Sequence, residues 1–155
     1  MAEAAQENNQ PLFNLENIYV KDLSLEIPHA PHIFLERETP QIDVQLNTQT
    51  ATIEGDVYEV IITNTVTAKI GEKVMFLVEG KQAGIFRLSN LPKEDIESVL
   101  AVMCPNILFP YLREVVSDMS VRGGFAPVML NPVNFEVLYQ QQKQQTMAAA
   151  SATTH

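Results

Sequence analysis

Through the first half of the chain, apolar and polar residues alternate one for one. Leu23, Leu25 and Ile27 interleave with Asp22, Ser24 and Glu26, a period of two that gives a strand one dry and one wet face. Ile42, Val44 and Leu46 alternate in the same way with Gln41, Asp43, Gln45 and Asn47. The clearest run spans Val57 to Ile70. There Tyr58, Val60, Ile62, Val66, Ala68 and Ile70 share a face broken only by Asn64, with Thr63, Thr65, Thr67 and Lys69 opposite. Threonine and β-branched residues favour such a pleated surface. Gly71-Glu72 makes a tight turn into a strand from Val74 to Gln82, giving a hairpin. Together these segments predict a four-stranded antiparallel sheet of meander-like order.

The second half changes period. Asn90 can cap a helix whose first turn holds Pro92, Glu94 and Asp95, all favourable at a helix N-terminus. Ile96, Val99, Leu100 and Met103 follow at helical spacing, and Leu112, Val115, Val116 and Met119 resume the stripe. Pro105 and Pro110 interrupt it, so a kink is expected near Cys104-Pro105-Asn106. Gly123-Gly124 ends this long helix. A short last helix, capped by Asn131 with Pro132 behind it, presents Phe135, Leu138 and Tyr139. Strands first and helices after define an α+β domain, expected over residues 13–140. The flanking residues 1–12 and 141–155, rich in Gln, Asn, Ala, Ser and Thr, cannot bury much apolar surface and read as disordered tails.

Composition narrows the function. The chain has 155 residues, 46% of them hydrophobic, enough for one packed domain. No stretch is read as reaching the roughly 20 apolar residues of a membrane-spanning helix. Met1 to Gln10 has neither a basic nor an apolar region, so no signal peptide is expected and the location is expected to be cytoplasmic. Cys104 is the only cysteine, which excludes an intramolecular disulfide. A formal net charge of −9 disfavours nucleic acid as a partner and favours a basic protein surface.

Catalytic chemistry finds little support. His29 and His32 have a ligand-like spacing but flank Pro28 and Pro31 on an extended loop, and no further ligand accompanies them. Cys104 falls within a helical apolar pattern and reads as a core residue. Neither glycine-rich phosphate motif is present. No enzyme, metal or cofactor is expected.

Two features point to binding. Asp22 and Glu26 share the wet face of the first strand, about 13 Å apart at roughly 3.3 Å per residue. Glu79 can join them, with Leu77 as an apolar neighbour on its face. A solvated strand face and a docking site for a basic partner both fit. The second feature is apolar excess in the loop from Pro28 to Phe34, in Ile107-Leu108-Phe109-Pro110-Tyr111 and in the last helix. Contact between subunits and a groove for an unfolded client both fit.

Several blocks closely resemble the SecB family of protein-export chaperones. They are Ile18-Tyr19-Val20-Lys21-Asp22, Glu26-Ile27-Pro28-His29-Ala30-Pro31-His32, Asp56-Val57-Tyr58-Glu59-Val60 and Gly84-Ile85-Phe86 in the strand half. Cys104-Pro105-Asn106-Ile107-Leu108-Phe109-Pro110-Tyr111, Arg113-Glu114 and Pro132-Val133-Asn134-Phe135 continue the series in order. The resemblance implies a homotetramer, a dimer of dimers with the long helices packed between two sheets. It implies an ATP-independent chaperone that binds unfolded secretory precursors, keeps them competent for translocation and passes them to the motor ATPase SecA. The family's motor-docking positions fall on Asp22, Glu26, Leu77 and Glu79. The complementary charge is the basic, zinc-bearing tail of SecA, whose zinc belongs to the partner. Ile33, Phe34, Ile42, Val44, Leu46, Phe135 and Leu138 are the implied client contacts, although several fit a plain core as well.

The chain departs from the family at Glu38-Thr39, where an aromatic often precedes the proline at Pro40, and Val78 replaces a cysteine of some relatives. Two rivals stand beside the export reading. One is a chaperone of the same fold serving another system, such as a toxin–antitoxin pair. The other is an α+β domain with a discrete small-molecule or catalytic pocket.

Overall fold

The computed structural model describes residues 9–152. Four strands, β1 (Leu12–Glu26), β2 (Gln41–Glu54), β3 (Val57–Ile70) and β4 (Lys73–Ser89), form one sheet. All its pairings are antiparallel, and the spatial order is β1-β4-β3-β2. The expected meander holds for β2, β3 and β4, which tight turns connect; Gly71 takes a positive φ of 60° between β3 and β4. It does not hold for β1, which lies beside β4 at the far edge from β2. The connection between them carries Pro28, Pro31 and Pro40 and a 3-10 turn over His32–Leu35, too long and stiff for a hairpin. The result is a Greek-key order.

β1 is longer than its alternation suggests because two bulges interrupt it. Pairing with β4 shifts register between Leu15 and Asn17 and again between Val20 and Asp22. Each shift leaves one extra residue, Glu16 and then Lys21, outside the ladder. A period-two reading therefore loses phase at each bulge and recovers only the stretch from Asp22 onward.

A single long helix, α1 (Lys93–Arg122), packs on the face bearing Val60, Ile62 and Val66 of β3 and Phe76, Val78 and Phe86 of β4. Leu108, Leu112 and Val116 supply its half of the core. By length and composition α1 would suffice to cross a membrane, with a mean hydropathy of 1.4 over its most apolar window, more than the sequence reading allowed. Here the sheet takes up one of its faces. The prolines predict a kink; the helix widens into a π turn at Val99–Met103, just before Pro105. Proline has no N–H to donate and its ring crowds the carbonyl four residues back, and a wider turn relieves both. Pro110 stays within the helix.

Two expected caps are corrected. Asn90 does not cap α1: its φ is 60° and its amide donates to the Gln10 carbonyl at 3.0 Å. The helix begins after Pro92, because a residue preceding proline is held extended. The last helix is capped by Asn134, whose Oδ1 accepts from the Val137 N–H at 3.1 Å, rather than by Asn131. Nor is that helix short: α2 runs over Phe135–Ala152, 18 residues. Its residues beyond Gln140 are all exposed, so Gln, Lys, Met and Ala propensity, not burial, sustains it. Of the expected tails, residues 1–8 and 153–155 lie outside the described residues.

Candidate binding faces

The sheet has two faces with different chemistry. On the face away from α1, the register sets Asp22 opposite Lys81, Ser24 opposite Glu79 and Glu26 opposite Leu77. Directly opposed side chains in such a ladder stand about 5 Å apart at Cβ. Asp22, Glu26, Leu77 and Glu79 thus form one compact patch across β1 and β4. Its three carboxylates are exposed and Leu77 is half-buried. Among the described residues none of the three carboxylates is in an ion pair, so the patch is available to an external cation.

The same face carries a cluster the sequence reading did not single out. The bulged residue Lys21 donates to Glu59 of β3, with Nζ 2.9 Å from Oε1 and 3.1 Å from Oε2. The Tyr19 hydroxyl donates to Oε2 of the same carboxylate. Burial first, and then the hydrogen bond and charge of Glu59, push the Tyr19 hydroxyl up to about 12. The Tyr19 and Lys21 hydrogen bonds hold the Glu59 carboxyl below its usual range. These residues lie in quoted family blocks, but their meeting across β4 depends on register and is invisible to local pattern.

The helix-bearing face opens into a groove along β2. Ile42, Val44 and Leu46 point to this side, opposite Ala68, Val66 and Asn64 of β3. The segment Met129 to Val133 and Leu138 of α2 face them across a cleft of about 520 Å³. A second cleft of about 430 Å³ adjoins it, sharing Ile42 and Met129 and lined by Thr39, Pro40, Met75 and Phe125. Val44 and Phe34 are each 47% exposed. Phe34 stacks on Phe125 with centroids 5.2 Å apart, and Phe125 stacks on Phe76 at 4.6 Å, so Phe34 sits beside the second cleft.

Two other expected client contacts are placed differently. Ile33 is 1% exposed and Phe135 is 2% exposed, its ring edge-on to Phe109 at 6.0 Å. Both are buried and neither lines the clefts, and Phe135 belongs to the core cluster. Met129 and Phe125, absent from the sequence reading, do line it; they sit in a loop without periodicity, where pattern carries no signal. The position before Pro40, where the family often has an aromatic, is a groove position occupied here by Thr39.

Cys104 is fully buried in the core cluster, and burial pushes its thiol up to about 12, far from a reactive thiolate. Among the described residues no three His, Cys, Asp or Glu side chains assemble as a metal site.

Residues 6–146 match the family model described as preprotein translocase subunit SecB. The chain belongs to the SecB family. Two relatives, each named protein-export protein SecB, support the assignment. The one from Methylobacillus flagellatus is 58% identical over 99% of this chain and 98% of its own length. The one from Nitrosomonas eutropha is 64% identical over 88% of this chain and 86% of its own length. Among solved structures, a SecB-like chaperone of Mycobacterium tuberculosis, in complex with a peptide from the HigA1 antitoxin, superposes with a TM-score of 0.64. It is 16% identical and covers 79% of this chain and 91% of that one, a likeness of fold alone. SecB membership makes the chain a bacterial protein-export chaperone of the cytoplasm, a binding protein and not an enzyme.

Proposed function

We propose that this SecB chain captures unfolded secretory precursors along the β2 groove and hands them to SecA through the acidic patch of Asp22, Glu26, Leu77 and Glu79. The observation that carries the reading is that the two features lie on opposite faces of one sheet. A client seated between β2 and the Met129 to Val133 segment leaves the carboxylates of β1 and β4 uncovered. Capture and docking can then coexist, as a hand-over requires.

Capture rests on apolar burial without sequence readout. At about 25 cal/mol per Å², many weak contacts along an extended client sum to useful affinity against the cost of ordering it. Ile42, Val44, Phe34 and Leu138 are the exposed contributors, with half-buried Leu46 beside them, and Ile33 and Phe135 are buried. No nucleotide is needed for such binding. The working unit is a dimer of dimers, supported by the apolar residues that the sheet leaves uncovered on α1, Met103, Tyr111 and Val121, all about half exposed. Several grooves in one assembly add avidity along one client. The chaperone domain is residues 13–140, flanked by the extensions 1–12 and 141–155.

The test is light-scattering mass, together with binding of purified SecA and of an unfolded precursor, for the wild type and a Glu79→Lys variant. The expected result is a mass of four chains, with SecA binding lost in the variant and precursor binding kept. A tetramer whose SecA binding ignores the charge reversal would assign the fold to another system, and a monomer would remove the shared-groove reading.

A further inference from the structure

We infer that Lys21, gripped by Glu59, which Tyr19 holds in turn, is a positioning residue of the acidic patch: its clamp decides that Asp22 rather than Lys21 takes the ladder place opposite Lys81. The inference rests on the docking reading above and goes beyond it to residues outside the patch.

The need for a device is set by spacing. Val20 opposes Gln82 and Leu23 opposes Gly80, both on the helix-bearing side of β4. Residues three apart cannot share a face in a period-two strand, so one of the two residues between them must leave the ladder. Lys21 and Asp22 are the two candidates. In one arrangement Asp22 takes the place opposite Lys81 and Lys21 is the extra residue; in the other the roles exchange. The hydrophobic pattern is the same in both, since Val20, Leu23 and Leu25 keep their sites. Core burial therefore cannot choose between them.

Electrostatics can. The observed arrangement places Asp22 opposite Lys81 and delivers Lys21 to Glu59, at 2.9 Å. The alternative would set Lys21 against Lys81, a like-charge opposition, and leave Glu59 without its cation. Glu59 stands on β3, so the clamp spans three strands and crosses β4 near Ala83, whose small side chain opposes Tyr19. The Tyr19 hydroxyl donates to Oε2 of the same carboxylate. The first bulge has the same design: its extra residue, Glu16, is held by Arg87 at 2.7 Å, and Arg87 also binds Asp56 at 3.0 Å. In β1 each extra residue is charged, and each is tied to the body of the sheet.

The clamp makes a prediction opposite in sign to simple charge counting. Removing a positive charge beside an acidic patch should tighten binding of a basic partner if charge alone matters. If Lys21 positions Asp22, Lys21→Met should instead weaken binding of purified SecA by about two- to fivefold, the upper range of one partly exposed ion pair. Unfolded-precursor affinity and assembly mass should stay unchanged. Lys21→Arg, which keeps a cation for Glu59, should bind SecA within about twofold of wild type. Unchanged or tighter SecA binding in Lys21→Met overturns the inference, as does an equal loss of precursor binding or an equal loss of SecA binding in Lys21→Arg. Glu79→Lys, run in parallel, separates the levels. If it abolishes SecA binding while Lys21→Met does not weaken it, only the clamp falls. If Glu79→Lys binds SecA like wild type, the docking reading falls and the clamp with it.

Discussion

Gly80 and Gly84 lie four residues apart on β4, both under α1, yet they have different room. A Cβ on Gly84 would stand 2.8 Å from Phe86 Cε2 and 2.9 Å from Leu108 Cδ2, two side chains with no exposed surface. A Cβ on Gly80 would meet Leu112 and Leu23 at 3.6 Å, ordinary contact. Gly84→Ala must push the helix or the Phe86 ring aside and is expected to cost about 1–3 kcal/mol. Gly80→Ala loses nothing in the folded state and restrains the unfolded chain. It is expected to be neutral or to stabilise by up to about 1 kcal/mol. Urea unfolding midpoints compared at one fixed protomer concentration would check both, since assembly makes stability concentration-dependent. A drop for Gly80→Ala as large as that for Gly84→Ala would show that the helix sits equally close over both. Gly84 belongs to a family block visible in the sequence, but the reason for a glycine there is Leu108, twenty-four residues further along the chain.

Among the elements, β2 separates what the pattern shows from what it hides. The alternation of Ile42, Val44 and Leu46 identifies the strand and its apolar face directly, and the structure confirms both. It cannot show that the strand is an edge, because that depends on β1 crossing to β4 instead of pairing with β2. An apolar face on an edge strand, only partly covered by α2, becomes a groove; the same face on a central strand would be core. Ile33 and Phe135 illustrate the converse. Both read as client contacts from composition and resemblance, and both are buried, Ile33 within the 3-10 turn and Phe135 at the first turn of α2. The bulges of β1 and the length of α2 stayed hidden for separate reasons: phase slips break periodicity, and a Gln-rich helix has no apolar stripe. Val44→Glu tests the groove as an element. Val44 is 47% exposed, so stability should move by no more than about 0.5 kcal/mol. Affinity for an unfolded precursor should fall by about tenfold, the value of one lost valine contact plus a charge in an apolar cleft. SecA binding, on the opposite face, should not change. Fluorescence titration with a reduced, unfolded precursor would measure it, and full precursor affinity in the variant would move the client site elsewhere.

At the scale of the whole molecule, the two faces obey different physics, and ionic strength separates them. The chain carries a formal net charge of −9, and among the described residues none of its docking patch's three carboxylates is in an ion pair. Attraction to a basic partner is therefore long-ranged at low salt and screened at high salt, the screening length falling from about 10 Å at 0.1 M to about 3 Å at 1 M. The groove works by removing apolar surface from water, which salt does not weaken. Raising sodium chloride from about 0.05 M to 1 M should weaken SecA association by tenfold or more, mainly through a slower on-rate. Precursor affinity should hold or rise over the same range. Stopped-flow association of SecA and equilibrium titration of precursor, on one preparation whose mass is checked at each salt, would show the split. Parallel loss of both affinities would mean that salt dissociates the assembly itself, and the mass would show it. Salt-insensitive SecA binding would mean that Leu77, the apolar member of the patch, outweighs its three carboxylates.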